Sequence, residues 1–475
     1  MPRSLILTTA VFALLAGCAS VPDLGPKPAP AAADSFGTAA SFADANGEWP
    51  VEGWWQGFGD AQLDALIAEG LKGSPDVAIA AARVRAAEAM AQQAGAALLP
   101  RVGAEASAGG VQQSKNMGIP PEFVPDGIQD TGHVAATFGF DLDLWGRNRA
   151  ALAAATSEAE AARVDAAQAR LMLTTGIAAA YVDLDGYYRA LDVANEAVRV
   201  RTASADLSGE RARAGLENQA SQRQAESRAA SSRADVVALE EAIATTRNRL
   251  AALLGAGPDR GLSIERPHMA RAALGLPAAA GIDLIGRRPD IVAARLRTEA
   301  AAKRIDVARA DFYPNISLSA LVGLQSLGLS NLFKSGSEYG NGGAAISLPI
   351  FEGGRLQGRY RGSRADYDAA VATYDRTLIG ALRDVADIVA SRAATARQLA
   401  GRREALAAAA EASKLAGLRY RAGLSNQIVQ LTAEDSMVAL DRAVAELEAR
   451  QLSLDIALIR ALGGGYRASN PTGDE

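Results

Sequence analysis

The side chains that enzymes use most often for covalent and acid–base chemistry are scarce in this chain of 475 residues. It contains one cysteine, Cys18, and two histidines, His133 and His268, far apart in sequence. A metal site or a Cys/His or Ser/His/Asp nucleophile needs several such groups together, and the carboxylates are scattered without a marked pair. We therefore expect neither an enzyme nor a bound cofactor. The net charge of −5, without a basic tract, argues against nucleic-acid binding.

Cys18 is the residue with the clearest chemical assignment. It ends an apolar run over residues 5–17 that follows Arg3 and is too short to span a bilayer, a pattern typical of a signal peptide. The sequence Leu-Ala-Gly-Cys over residues 15–18 resembles the bacterial lipobox, which implies cleavage before Cys18 and acylation of its sulfur and its new amino group. Ala19, rather than aspartate, favours the outer membrane. The alternative is an ordinary signal peptide beside an incidental cysteine.

The chain repeats itself at long range. The stretch RARAGLEN recurs as RYRAGLSN, so that Gly423 lies 208 residues after Gly215. Upstream the offset is 214, as between Pro75 and Pro289. The six extra residues fall in the first copy near residues 112–130, and insertions collect in surface loops. Two copies of this length indicate an internal duplication rather than a short solenoid repeat.

Each half begins with a helical pattern. The first covers residues 60–97, where Pro75 kinks or breaks it, and the second covers 283–311, where Pro289 suits the first helical position.

Strand-like alternation follows this helix, and each half offers one β-hairpin around a variable loop. In three of the four strands apolar and polar residues fall on opposite faces, as in a strand between lipid and water but also as in an ordinary antiparallel sheet. Four strands cannot close a barrel, whereas three copies would supply twelve. The stretches are RVGAEASAG, TFGFDLDLW, NISLSALVGL and AAISLPIF, at residues 101–109, 137–145, 315–324 and 344–351.

A very long helical pattern comes next in each half. Proline is absent from Asn148 to Arg213 and from Leu356 to Arg421, and about 65 helical residues extend roughly 100 Å. Charged residues throughout both runs are incompatible with membrane spans, so these helices must stand in water. A shorter helical pattern returns from each turn to form an antiparallel helical hairpin. The returning patterns cover residues 217–254 and 425–462.

Several stretches, in this order and over nearly the whole mature chain, resemble the TolC-type outer-membrane efflux proteins, in particular the lipidated OprM/NodT branch. They are WWQGFGDAQLDALIAEGL (54–71), RRPDIVAA (287–294), ARADFYPNISL (308–318), SLPIFEGGR (347–355) and RYRAGLSN (419–426). The resemblance implies a mostly α-helical chain with a transmembrane β part. Three copies would form a twelve-stranded β-barrel in the outer membrane, continued by a long periplasmic barrel of twelve helices.

The same resemblance implies the function of an exit duct in a tripartite efflux pump. Its partners would be two further copies of the chain, a periplasmic adaptor of the membrane fusion class, an inner-membrane resistance-nodulation-division transporter and outer-membrane lipid. A duct for type I protein secretion, which shares the fold, is one alternative. A coiled-coil structural lipoprotein that transports nothing is another.

The two RAGL turns would be the periplasmic tips of the helical hairpins and dock the adaptor. Pairing of arginines with a helix C-terminal dipole and capping by glycine explain the same residues without a partner. The candidate residues are Arg211, Arg213, Gly215, Arg419, Arg421 and Gly423.

The family narrows its pore just after the second turn, with an apolar residue five positions after the turn glycine and an aspartate nine positions after it. Here Ile428 fits the apolar position, whereas Thr432 departs from the aspartate. Glu434 and Asp435 lie close enough to substitute for it, unless they are solvated surface charges. Acids around a lumen would favour cations.

The expected organisation has five parts. These are a signal peptide (1–17), a lipidated N-terminus and tether (18–53), a first repeat (54–270), a second repeat (271–465) and a tail (466–475). The hairpins of strands are expected at 98–145 and 312–351, and the hairpins of helices at 148–254 and 355–462.

Overall fold

The computed structural model describes residues 20–42, 47–270, 275–277 and 280–468. The expected signal peptide, Cys18 and most of the expected tail lie outside these residues. The chain forms two compact units. Among the described residues, the first unit comprises 20–30, 83–162 and 294–374, and the second comprises the remainder.

Corresponding helices in the two halves have equal lengths, as a duplicated chain would give. The pairs α2 and α7, α3 and α8, and α4 and α9 have 22, 67 and 35 residues respectively. Within the described part of the chain, no helix combines the length and apolar character needed to cross a membrane. The helices are α1 (Ala61–Gly73), α2 (Pro75–Ala96), α3 (Arg147–Arg213), α4 (Gln219–Leu253), α5 (Asp259–Leu262), α6 (Ala280–Arg287), α7 (Pro289–Ala310), α8 (Arg355–Arg421) and α9 (Gln427–Ala461).

The helical pattern over residues 60–97 is two helices, because Pro75 breaks it. Ser74 is extended, with φ −67° and ψ 126°, and Pro75 is the first residue of α2. A proline has no N–H to donate and its ring crowds the preceding turn, so the first helical position is where a helix tolerates it. Pro289 begins α7 in the same way.

One antiparallel sheet in the first unit contains both hairpins. Its order is β1-β2-β3-β4, and β2 pairs with β3 over eleven residues, which joins the halves. Within the described chain, β1 and β4 each pair on one side only, so both outer strands present unpaired backbone groups. The strands are β1 (Arg101–Val111), β2 (Gln129–Asp141), β3 (Asn315–Leu327) and β4 (Glu338–Ser347).

The register gives the sheet one apolar face and one polar face. Residues paired across strands point to the same side, so Val102, Phe138, Ala320 and Gly342 share the apolar face. The neighbouring row on that face is Phe140, Leu318 and Ala344. The opposite face carries Glu105, Ser107, Thr131, His133, Thr137, Ser317, Ser319, Gln325, Tyr339 and Asn341.

The strand expected at 137–145 ends earlier, at Asp141. Asp143 lies in the left-handed region, with φ 42°. Its carboxylate accepts hydrogen bonds from the backbone N–H groups of Asn148 at 2.8 Å and Arg149 at 3.0 Å. Alternation in the last residues of this stretch was therefore misleading, because Asp143 satisfies the first N–H groups of α3 instead of continuing the strand.

The strand expected at 344–351 is also displaced toward the N-terminus. It begins at Glu338 and ends at Ser347. Pro349 cannot donate to a ladder and restricts the residue before it, so the apolar residues after Ser347 belong to the connection to α8.

The second unit has a core in which α1 packs against α3 and α4. Leu63 and Ile67 of α1, Ile177 and Leu184 of α3, and Leu250 of α4 are among its fully buried residues.

A hydrogen-bond network borders this core. The Asp60 carboxylate caps α1 and accepts hydrogen bonds from the Tyr181 hydroxyl at 2.9 Å and the His268 backbone N–H at 2.8 Å. Burial, together with the nearby Asp60, raises the pKa of Tyr181, which therefore acts here as a neutral donor. His268 thus lies in a structural network.

Candidate functional site

The two RAGL turns have the same backbone structure. Gly215 and Gly423 both have φ 71°. In the first turn the N–H of Leu216 donates to the carbonyl of Arg211 at 2.8 Å, and the N–H of Gly215 donates to that of Ala212 at 3.1 Å. These two bonds form a Schellman motif, which requires a residue that tolerates positive φ. The second turn repeats both bonds 208 residues later.

An asparagine follows each turn and begins the returning helix. The Asn218 side chain accepts a hydrogen bond from Ser221 N at 2.9 Å, and the Asn426 side chain accepts one from Val429 N at 3.3 Å. The glycine therefore ends one helix and the asparagine starts the next, which explains the tight reversal.

Three of the four arginines at the turns have exposed side chains, and each turn also exposes a leucine. Arg213, Arg419 and Arg421 are exposed, whereas Arg211 is partly buried. The exposed fractions of Leu216 and Leu424 are 67% and 70%. The charges of the turns stand out in the sequence and these leucines do not, although both copies of the motif contain one. The exposed surface of the turns therefore combines positive charge with an apolar side chain.

Arg211 packs within the chain. Its guanidinium lies 4.7 Å from the centre of the Tyr420 ring, and its Nε is 3.7 Å from a carboxylate oxygen of Glu217. Tyr420 is buried, and this burial together with Glu217 raises the pKa of its hydroxyl to about 12. The contact joins the first turn to the end of α8 through a cation–π pair. Arg211 is thus held by side chains of its own chain, whereas Arg213 and Arg421 each donate from Nε to a backbone carbonyl one helical turn earlier, that of Gly209 and that of Gly417, both at 3.3 Å.

Ile428 and Thr432 lie on one exposed face of α9. They are four residues apart, one helical turn, and the Thr432 hydroxyl donates to the Ile428 carbonyl at 2.8 Å. The exposed fraction of Ile428 is 52%, and Thr432 is also exposed. Both side chains are therefore accessible to solvent.

Glu434 is enclosed within the chain, with an exposed fraction of 5%. One carboxylate oxygen accepts a hydrogen bond from the Gln430 amide at 2.7 Å. Burial raises the pKa of Glu434, and the neighbouring Asp435 adds to the effect. Glu434 is therefore shielded from solvent by its own chain, unlike Ile428 and Thr432.

Replacing Glu434 with glutamine is expected to stabilise the protein at neutral pH. A folded-state pKa above the unfolded value means that a penalty appears as pH rises through the unfolded value of about 4.3 and is fully present above the folded value. Glutamine removes the charge and can still accept the bond from Gln430. The apparent unfolding temperature of the E434Q variant should therefore exceed that of the parent at pH 7, and the difference should vanish near pH 4. A lower unfolding temperature at pH 7 would contradict this account.

Asp435 joins the two helical hairpins. Its carboxylate lies 2.7 Å from Arg201 of α3 and 3.3 Å from Arg228 of α4. Arg201 also donates to the Ser232 hydroxyl at 2.7 Å. All three charged side chains are partly or largely shielded from solvent, so their attraction is stronger than that of surface pairs. The sequence points to Asp435 but not to the two arginines, because they lie more than 200 residues away in the other half.

Exposed aromatic residues flank the sheet at both of its ends. Trp145 and Phe351 are exposed where strands give way to helices, and Phe123 and Phe333 are exposed in the opposite loops. The Trp145 ring stacks on Tyr313 with 4.9 Å between ring centres. An apolar band between two aromatic girdles is the surface pattern of a transmembrane β-strand layer.

On the polar face, side chains from three strands meet. The Tyr339 hydroxyl contacts the His133 Nε2 atom, which lies 3.7 Å from a carboxylate oxygen of Glu105. Gly323 pairs with Ala135 on β2 and with Tyr339 on β4. A Cβ atom at position 323 would collide with Ala135, so glycine is required there. His133, which appeared unremarkable in the sequence, is therefore one of several polar groups on this face.

Comparisons with known proteins place these features in context. The sequence profile of a family described as "Outer membrane efflux protein" matches residues 66–256 and 283–464, one match for each half. The fusaric acid resistance protein FusA of Burkholderia cepacia is 37% identical over 96% of this chain and 87% of its own length.

Two solved structures are also similar. The outer membrane protein VceC of Vibrio cholerae is 42% identical, covers 88% of this chain and 100% of its own, and superposes with a TM-score of 0.84. The outer-membrane channel OprN is 28% identical, covers 94% of this chain and 99% of its own, and has a TM-score of 0.85.

Proposed function

This chain belongs to the outer membrane efflux protein family, and we propose that it forms the outer-membrane exit channel of an efflux pump and passively conducts small molecules out of the cell. The observation that carries this proposal is the four-stranded sheet with an apolar face, a polar face and two unpaired edge strands. An open edge is not tolerated in lipid, so the sheet requires partners that complete it. The family consists of outer membrane proteins and not of enzymes.

A homotrimer satisfies this requirement. When β4 of one copy pairs with β1 of the next, three copies contribute twelve strands that close with the apolar faces outward. The polar face, including Glu105, His133 and Tyr339, then lines a water-filled lumen. The helices α3, α4, α8 and α9 supply twelve helices in the same assembly. Purified protein reconstituted in planar bilayers should show single-channel conductance, and a persistent lack of conductance even for variants with an opened tip would refute the channel.

The pump partners are a periplasmic adaptor and an inner-membrane resistance-nodulation-division transporter. The two exposed turns per copy give six in a trimer, and these offer the adaptor a ring of leucine and arginine side chains. Residues Arg213, Gly215, Arg419, Arg421 and Gly423 belong to this docking surface, and Arg211 supports it from within. Co-purification of the adaptor with the chain tests the assignment.

Ile428 and Thr432 form the narrowest ring of the lumen in this proposal. The double substitution Ile428→Ala/Thr432→Ala should increase single-channel conductance, because six side chains per trimer become smaller. Val429→Ala is the matched control, since Val429 has a similar exposed fraction of 50% but points about 100° away around the helix. An equal increase in the control, or no increase in the double variant, would remove these residues from the constriction.

Lipid anchoring through Cys18 is a separate part of the proposal. The lipobox resemblance and the apolar run before Cys18 support it. The intact mass of the mature protein should exceed that of the chain starting at Cys18 by the mass of its acyl groups, and Cys18→Ser should lose that addition. A mature protein of unmodified mass would refute anchoring but leave the channel proposal intact.

A further inference from the structure

We infer that helix α8 carries a binding site for an extended, proline-rich segment, occupied by residues 25–31 of the same chain, and that this contact fixes where the acylated N-terminus meets the membrane. We call residues 25–31 the strap. The composition of this region predicts a tether, whereas in the structure the strap lies against α8. The membrane consequence, though not the contact itself, depends on the proposed acylation of Cys18.

The sequence of the strap restricts its conformation before it binds anything. Pro26, Pro28 and Pro30 alternate with Lys27 and Ala29. Each proline fixes its own φ near −65° and pushes the residue before it toward extended conformations. A polyproline-II segment makes no internal hydrogen bonds, so its carbonyls remain available as acceptors. Little conformational entropy is lost when such a segment binds.

Arg364 of α8 donates hydrogen bonds to the first two carbonyls of the strap. Its guanidinium donates to the carbonyl of Gly25 at 3.1 Å and also to the carbonyl of Pro26. Its Nε donates to the Asp368 carboxylate at 2.9 Å, and the Arg364 side chain is only 12% exposed. The guanidinium fork is therefore held in place with its remaining donors directed at the strap.

Tyr367, one turn further along α8, contacts the middle of the strap. Its hydroxyl donates to the carbonyl of Pro28 at 2.9 Å, and the Lys27 ammonium lies 5.9 Å from the centre of its ring. Tyr367 itself is buried in a cluster with Ile305 and Val371. An aromatic ring with a hydrogen-bond donor beside a proline-rich segment is the usual means of recognising polyproline-II.

The last residue of the strap contacts Asp375 of α8. The Asp375 carboxylate accepts a hydrogen bond from the backbone N–H of Ala31 at 2.8 Å. Arg364 and Asp375 are eleven residues apart on α8, or about 16 Å along the helix. Five residues of polyproline-II cover about 15 Å. The spacing of the contacts therefore matches the length of the strap.

The direction of the strap determines where the anchor can go. Residue numbers rise in the same direction along the strap and along α8, so Gly25 is nearer than Ala31 to the start of α8 at Arg355, eight residues after β4. Gly25 follows Cys18 by seven positions, and this length of chain can span at most about 25 Å. Nine residues of helix, about 14 Å, separate Arg364 from Arg355. Acyl chains on Cys18 are thus restricted to the leaflet beside the ends of the strands.

The contact is tested by a nitroxide attached at Ala29→Cys, which is exposed in the strap. In full-length protein in lipid vesicles its electron paramagnetic resonance spectrum should be that of an immobilised label. Arg364→Met/Tyr367→Phe, which keeps most of the packing and removes the donors, should shorten the rotational correlation time several-fold. Arg361→Ala, an exposed arginine on the same helix, should leave the spectrum unchanged. A mobile label in the parent, or an immobile one in the double variant, would overturn the proposal.

A second variant leaves α8 untouched. Pro26→Gly/Pro28→Gly makes the strap flexible, and we expect the same label to become mobile. The depth of a nitroxide at Ser20→Cys, measured by collision with oxygen and with a water-soluble nickel complex, should be sharply defined in the parent and broadly distributed in both strap variants. An unacylated Cys18 with an immobile label at position 29 would refute anchoring only. The strap variants should conduct like the parent, so a result that overturns the strap proposal leaves the channel proposal intact.

Discussion

Replacing Asp435 with alanine is expected to open the helical end of the channel and to raise its conductance several-fold. The substitution leaves Arg201 and Arg228 partly buried and without the carboxylate that holds them together. Removal of one member of a buried charge network costs about 3–5 kcal/mol, which we reduce to about 1–3 kcal/mol because the Asp435 side chain is roughly one-third exposed. Loss of the attraction between Asp435 on α9 and the two arginines on α3 and α4 then favours separation of the hairpins. Single-channel recording measures the effect.

The matched control is Glu446→Ala on the same helix. Glu446 pairs with Arg442 at 3.0 Å, but both side chains are about 60% exposed, so little is lost when the pair is broken. Asp435→Asn keeps the shape and one hydrogen-bond acceptor and should give an intermediate conductance. Conductance of the D435A variant equal to that of the parent would show that this ion cluster serves stability alone.

Replacing both Leu216 and Leu424 by aspartate is expected to abolish binding of the periplasmic adaptor. Burial of a leucine side chain contributes about 1.5–3 kcal/mol, so two leucines per chain account for at least about 100-fold in affinity. Aspartate also places negative charge beside the exposed arginines of the turns and weakens any acidic contact from the adaptor. A strain in which the gene for this protein is deleted, and which is complemented with the double variant, should be as susceptible to pump substrates as the uncomplemented deletion strain.

Val237→Asp is the control for introducing a carboxylate at an exposed apolar site. Val237 has an exposed fraction of 63% and lies on α4, eighteen residues beyond the first residue of that helix. It should support normal efflux. Single-channel conductance and the amount of protein in the outer membrane should be unchanged in the L216D/L424D variant. Retained resistance in that variant would exclude the turn leucines from docking, and lost conductance would point to misfolding.

The strand boundaries show where sequence patterns were insufficient. Alternation predicted strands at 137–145 and 344–351, and it correctly identified the faces of the sheet. The ends were wrong because Asp143 caps a helix and Pro349 cannot join a ladder, effects that alternation does not register. Pairing of β2 with β3 could not be predicted, since it joins segments nearly 200 residues apart.

The acids after the second turn show the same limit for side chains. Glu434 and Asp435 were named as candidates because of their distance in sequence from Gly423. Helical periodicity alone leaves open what packs on each face. Contacts with Gln430, Arg201 and Arg228 decide that Glu434 is enclosed and that Asp435 is engaged with the other half.

The sequence by itself determined the features that depend on local chemistry and periodicity. These include the duplication, the helices of the two hairpins to within about two residues, the glycine turns at 215 and 423, and the apolar and polar faces of the strands. Helix propensity, proline and positive φ act over a few residues, so short stretches are enough to reveal them. The duplicated pattern then carried the resemblance to one family.

Only the tertiary structure decided which distant residues act together. The ion cluster at Asp435, the packing of Arg211 on Tyr420 and the strap on Arg364 each join residues separated by more than 200 positions. Such contacts arise when separate elements pack, and the free energy that selects them depends on burial and on neighbouring charges. For that reason the sequence named Arg211 as a docking candidate and Asp435 as a pore candidate, and only the structure shows that both are paired with side chains from the other half of the chain.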